Sequence, residues 1–126
     1  MDSFAHVNNT MYLRWFESAR MAYFEATGMI ETMRRESIGP ILARTSVDFR
    51  VPVTYPDKVR AIATVASLGR TSFVMRHKLM SERHGLAAEG DAVLVMLNYK
   101  TGKTVAVDET LRQALFALEA RGSGLG

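Results

Sequence analysis

"TMYLRWFESARMAYFEAT", residues 10–27, decides how this chain is read. Its apolar members stand at Met11, Tyr12, Trp15, Phe16, Ala19, Ala22, Tyr23 and Ala26. Steps of three and four are the period of an α-helix with one broad apolar face. Arg14, Glu17, Ser18 and Glu25 fill the remainder. A face this wide and aromatic predicts a helix covered on much of its surface. Asn8 or Asn9 is the expected N-cap, because a short side-chain oxygen can accept a bond from a free first-turn N–H. Gly28 is the expected stop, with a short further helical turn through about Arg35.

Beyond that turn the period changes to two. Ile41, Ala43, Thr45, Val47, Phe49 and Val51 alternate with Leu42, Arg44, Ser46, Asp48 and Arg50, which reads as one strand with a largely polar face. Pro52 and Pro56 then interrupt. Further strands are expected at 58–68, 73–82 and 86–100, separated by the turns "GRTS" and "RHG". The last is apolar on both faces around Val93 to Leu97, so it belongs in the middle of the sheet. Asp108 is a good cap for a final helix that turns Leu111, Ala114, Leu115 and Leu118 inward. No repeat or linker divides the chain. One domain is expected over residues 1–121, with a disordered tail at 122–126. One apolar helix beside four long antiparallel strands is an α+β architecture, the sheet wrapped around the helix.

Composition narrows the chemistry. The chain has no cysteine, which removes disulfides, thiolate nucleophiles and cysteine-bound metals. A reducing, cytoplasmic setting follows from that. Its three histidines, His6, His77 and His84, are isolated in sequence and form no ligand cluster; His77 and His84 read as surface residues. No metal and no cofactor are expected. No apolar run reaches the roughly 18 residues of a membrane span, and no signal peptide is visible. The net charge of +3 is modest, and the basic residues are scattered, Arg34 and Arg35 forming the densest pair. That argues against nucleic acid and suits a small phosphate-bearing ligand.

The opening "MDSFAHVNNTMYLRWFESAR" carries a more specific signal. Its Asp2, His6, Val7, Asn8, Asn9, Tyr12, Phe16, Glu17, Ala19 and Arg20 resemble the first motif of the hotdog-fold acyl-CoA thioesterases, the 4-hydroxybenzoyl-CoA thioesterase-like group. "VDFRVPVTYPDKV" and "ETLRQAL" resemble later passages of that group, so the likeness spans nearly the whole chain. The family carries a strand ahead of the motif that is lacking here, so the expected sheet is short of its first strand. The resemblance implies hydrolysis of an acyl-CoA to a free acid and coenzyme A. It also implies a homodimer or a dimer of dimers, two sheets joined edge to edge with the sites at the subunit boundary.

The chemistry makes sense in its own terms. Thioester hydrolysis needs a nucleophile or activated water, and positive potential where the carbonyl oxygen gains charge. A helix N-terminus offers free N–H groups and a favourable dipole. Asp2, just ahead of it, is the candidate base or nucleophile. His6 shapes the site or takes part directly. The amides around Val7, Asn8 and Asn9 are the candidate oxyanion donors, and the two asparagines are first of all caps. Glu17 is the alternative carboxylate, since some hotdog enzymes use a helix glutamate; it also lies three residues from Arg20 and can pair with it. Tyr12, Trp15 and Phe16 are core residues first, with Tyr12 also a candidate substrate contact. Arg70, with Thr71, Ser72 and Phe73, is the candidate pantetheine or phosphate contact; Arg34 and Arg35 are weaker ones. Two other readings compete: hydrolysis of acyl groups from an acyl carrier protein, and a hotdog dimer that binds acyl-CoA without turning it over.

Overall fold

The structure, a computed structural model, describes residues 7–121; Asp2, His6 and the tail at 122–126 lie outside the described residues. The first helix, α1, runs Asn9–Thr27. Asn8 caps it from an extended backbone (φ −63°, ψ 139°), its Oδ1 accepting from the Thr10 N–H at 2.9 Å. Gly28 ends it at φ +80°, a left-handed conformation that costs glycine little. A short α2 follows at Met29–Glu36. The strands are β1 Ile38–Thr45, β2 Asp48–Phe49, β3 Val59–Leu68, β4 Ser72–Ser81 and β5 Gly85–Asn98, and α3 closes the chain at Glu109–Arg121.

All pairings are antiparallel, in the order β1-β5-β4-β3, with β2 also on β5. β5 lies inside the sheet, which accounts for its apolar residues on both faces. β4 alternates cleanly: Phe73, Met75, His77, Leu79 and Ser81 are buried, while Arg76 and Lys78 are exposed. α1 lies on the buried face and packs Tyr12, Phe16, Arg20, Tyr23 and Phe24 against the sheet. Each such aromatic or aliphatic side chain contributes about 1.5–3 kcal/mol through burial.

The core has two parts strung along α1. At its start, Tyr12 and Phe16 pack with Val53, Val59, Ala61, Leu79, Ala87 and Ala88. At its end, Tyr23 and Phe24 pack with Val65, Leu68, Phe73, Met75, Leu94 and Met96. Leu111, Leu115 and Leu118 of α3 join this second part.

One expected strand is divided. The alternation from Ile41 to Val51 predicts a single strand, but the backbone leaves the ladder after Thr45 and returns only for Asp48–Phe49. The cause is local. The register slips between Leu42 and Arg44, and the Ser46 carbonyl then presses against Gly90, where any Cβ would collide with it. Among the described residues the sheet therefore has five strands rather than four, and Ile41, Leu42 and Phe49 are exposed along it.

Candidate active site

The entry to α1 is fixed at one residue. Val53, in the loop between β2 and β3, accepts from the Val7 N–H at 2.9 Å and donates its own N–H to the Tyr12 hydroxyl at 3.1 Å. These two bonds hold the helix start against the loop. The Val7 N–H is thereby engaged by the loop. The Thr10 N–H is taken by the Asn8 side chain, and the Met11 N–H by the Asn8 carbonyl at 2.9 Å. Among the described residues the N–H groups of Asn8 and Asn9 have no acceptor. They sit at the positive end of the α1 dipole.

A cleft opens beside these amides, lined by Val7, Asn9, Tyr12, Phe49, Arg50 and Val51. Tyr12 is buried, and its ring meets Phe49 (centroids 4.9 Å) and Trp15 (5.6 Å) edge to face. Its hydroxyl is spent on Val53, so its contribution to the cleft is aromatic surface. Arg50 is the cation in this lining; its Nε stands 3.6 Å from Glu89. Phe49 and Arg50 were not singled out from sequence, because nothing there shows that β2 and the helix start share a cleft. The interrupted alternation at Pro52 is the only hint.

Other candidates are placed elsewhere. Glu17 is exposed on the flank of α1. It forms no ion pair with Arg20 among the described residues, because Arg20 turns into the core. The turn holding Arg70, Thr71 and Ser72 sits where β3 ends, beside the far end of α1. A 19-residue helix is about 28 Å long, so within one chain this turn and the amides of Asn8 and Asn9 do not meet. The turn is stitched to the lead-in of α3 and to β5: the Arg70 carbonyl accepts from the Val107 N–H at 2.7 Å, and that of Thr71 from the Met96 N–H at 2.8 Å. Phe73 is buried against Phe24 and belongs to the core. Arg34 and Arg35 also lie past the end of α1, beside Glu31 and Glu36.

His77 corrects a sequence expectation. It is 1% exposed rather than at the surface. Burial, then the nearby Arg20 charge, lowers its pKa to about 4, with Asp91 opposing. The imidazole is therefore neutral near pH 7. Arg20 is itself pulled below the usual guanidinium value by burial, opposed by Glu17. His84 is exposed. Among the described residues no group of three His, Asp or Glu side chains could hold a metal. Nor is any described helix long and apolar enough to cross a membrane.

A helix N-terminus whose first amides have no acceptor among the described residues, opening on a cleft with aromatic walls, is suited to stabilising an oxyanion beside an apolar group. Comparison with known proteins bears on the family and the fold. The chain is 25% identical over 116 residues to the long-chain acyl-CoA thioesterase FadM of Escherichia coli, covering 91% of this chain and 88% of that protein. It superimposes on a Thermus thermophilus thioesterase crystallised with coenzyme A and zinc (TM-score 0.83, 31% identity, 96% of this chain and 86% of that one). The DHNA-CoA thioesterase of Staphylococcus aureus, at 22% identity, shares the fold (TM-score 0.82, 95% and 83% covered). Residues 1–115 match the thioesterase-like superfamily, so this chain belongs to that superfamily and is a thioester hydrolase with the hotdog fold.

Proposed function

We propose that the protein hydrolyses acyl-CoA thioesters, with the N–H groups of Asn8 and Asn9 holding the oxyanion and Asp2 serving as base or nucleophile. The observation that carries this reading is the start of α1: capped by Asn8, held by Val53 and open to a cleft. An oxyanion there meets two N–H groups and the helix dipole, in a site walled by aromatic rings. Each such donor, when removed, typically raises the barrier by about 3–4 kcal/mol. Asp2 lies six residues ahead of the capping residue, in the motif that carries the resemblance. The coenzyme A bound by the Thermus thermophilus relative and the acyl-CoA named for FadM support the substrate class.

The working unit in this reading is a homodimer. Among the described residues β1 has β5 on one side and no strand on the other, and it exposes Ile41 and Leu42. Pairing this edge with its copy would cover both. It would also bring residues of a second subunit toward the cleft, offering a route for Arg70 of one chain to serve the site of another.

The test is thiol release from acyl-CoA by the purified protein and by Asp2→Asn. Turnover should fall by at least about a hundredfold, the usual scale for loss of a general base, with circular dichroism unchanged. Near-normal turnover would remove Asp2 from the mechanism and turn attention to Glu17.

A further inference from the structure

Phe49 is 48% exposed, although its ring rests against a buried tyrosine. It sits on β2, a strand of two residues set apart from β1 by the break beside Gly90. That strand is held firmly. Asp48 and Phe49 pair with Glu89 and Ala88, and the N–H groups of Arg50 and Val51 both donate to the Ala87 carbonyl, at 2.8 and 3.1 Å. The Phe49 ring is thus a fixed apolar surface in the same cleft as Asn9.

We propose that Phe49 determines acyl specificity, its ring forming the wall against which an apolar acyl chain lies as it leaves the thioester carbon. This rests on the reading that places the thioester carbonyl at the amides of Asn8 and Asn9. A carbonyl held there puts the following carbons within the small cleft that Phe49, Tyr12, Val7 and Val51 enclose. Apolar carbons packed on that wall leave water, and one or two methylenes in such a pocket are worth about tenfold or more in selectivity. An acetyl group ends before it can use this wall. A medium or long unbranched chain uses it fully. The site therefore favours acyl-CoAs with an extended apolar chain over acetyl-CoA.

The experiment measures kcat/KM for octanoyl-CoA and for acetyl-CoA with the full chain, with Phe49→Ala and with Phe49→Leu. The expected result is a fall of about tenfold in the octanoyl-to-acetyl ratio for Phe49→Ala, carried more by KM than by kcat, and a smaller fall for Phe49→Leu. An unchanged ratio would overturn the proposal. So would an equal loss on both substrates, which marks a structural role or an oligomer contact; size-exclusion chromatography separates those two. If Phe49→Ala does not fold, Phe49→Leu decides by the same ratio. Turnover of both substrates by the unaltered protein, with no change of ratio in the variants, defeats this inference alone. No turnover of either by the unaltered protein defeats the functional reading and this inference with it.

Discussion

Arg20 of α1 and His77 of β4 face each other inside the core, with Nη1 of the guanidinium 3.5 Å from Nε2 of the imidazole. The His77 ring also stacks on Phe16, with centroids 5.1 Å apart and planes 29° apart. A neutral imidazole can accept from the guanidinium through Nε2, which places its own proton on Nδ1. The pair joins helix to sheet by a polar contact, at a position where the neighbours on the same strand, Met75 and Leu79, are fully buried.

Acid should loosen the fold through His77. Its folded pKa is about 4 against an ordinary 6.5. Between those values the unfolded chain binds the extra proton and the folded one does not, so stability falls as pH falls from 6.5 through 4. The full loss below pH 4 is on the order of 3 kcal/mol, at about 1.4 kcal/mol per unit. Urea midpoints measured from pH 7 to pH 4 check this. His77→Gln, which does not titrate in that range, should flatten the curve.

Removing the guanidinium should be costly even far from the cleft. Arg20→Ala takes away a half-apolar stem packed in the core and leaves the Nε2 atom of His77 without its donor. The expected loss is about 2–3 kcal/mol. Arg20→Met, which keeps the stem, should lose less. Equal destabilisation by both would show that charge, not packing, sets the cost.

The two asparagines at the helix start should separate by assay. Asn8→Ala deletes the bond to the Thr10 N–H, and its expected cost is about 1 kcal/mol in thermal or chemical unfolding. Asn9, an exposed first-turn residue that lines the cleft, should alter turnover more than melting temperature when changed to alanine. A variant of Asn9 as destabilised as that of Asn8 would contradict the assignment of the cap.

Gly90 should not tolerate a side chain. A Cβ there meets the Ser46 carbonyl and the Val47 backbone. Backbone on one side and a ladder on the other leave little room to yield, so Gly90→Ala is expected to cost about 1–3 kcal/mol, the range of an overpacked interior. The shift also falls next to β2, so the octanoyl-to-acetyl ratio of the variant should change together with its stability.

Much of this molecule can be read from residues alone, because its elements are long and their periods clear. The aromatic repeat of α1, the turns at Gly69 and Gly85 and the doubly apolar β5 all announce themselves. His77 was legible too. It falls in step with Phe73, Met75 and Leu79, so the period of two alone places it inward. The broken strand at Ser46 was not legible, since the close approach of the Ser46 carbonyl to Gly90 exists only after the strands pair. Nor was the cleft, which depends on a loop residue, Val53, meeting a helix more than forty residues earlier. The same long-range packing separates Arg70 from Asn8 by the length of α1.

The two hydrogen bonds of Val53, one accepted from Val7 and one donated to Tyr12, have a dynamic consequence. A loop and a helix start tied through both the N–H and the C=O of one residue cannot open one at a time. Fluctuations that release the 50–58 segment must also free the Val7 amide. Backbone amide exchange at Val7 and Val53 should therefore report a single opening event with one free energy and one response to denaturant. A ligand that orders the cleft should slow exchange at both sites by the same factor, even though the nitrogen of Val53 faces a tyrosine oxygen and not the cleft.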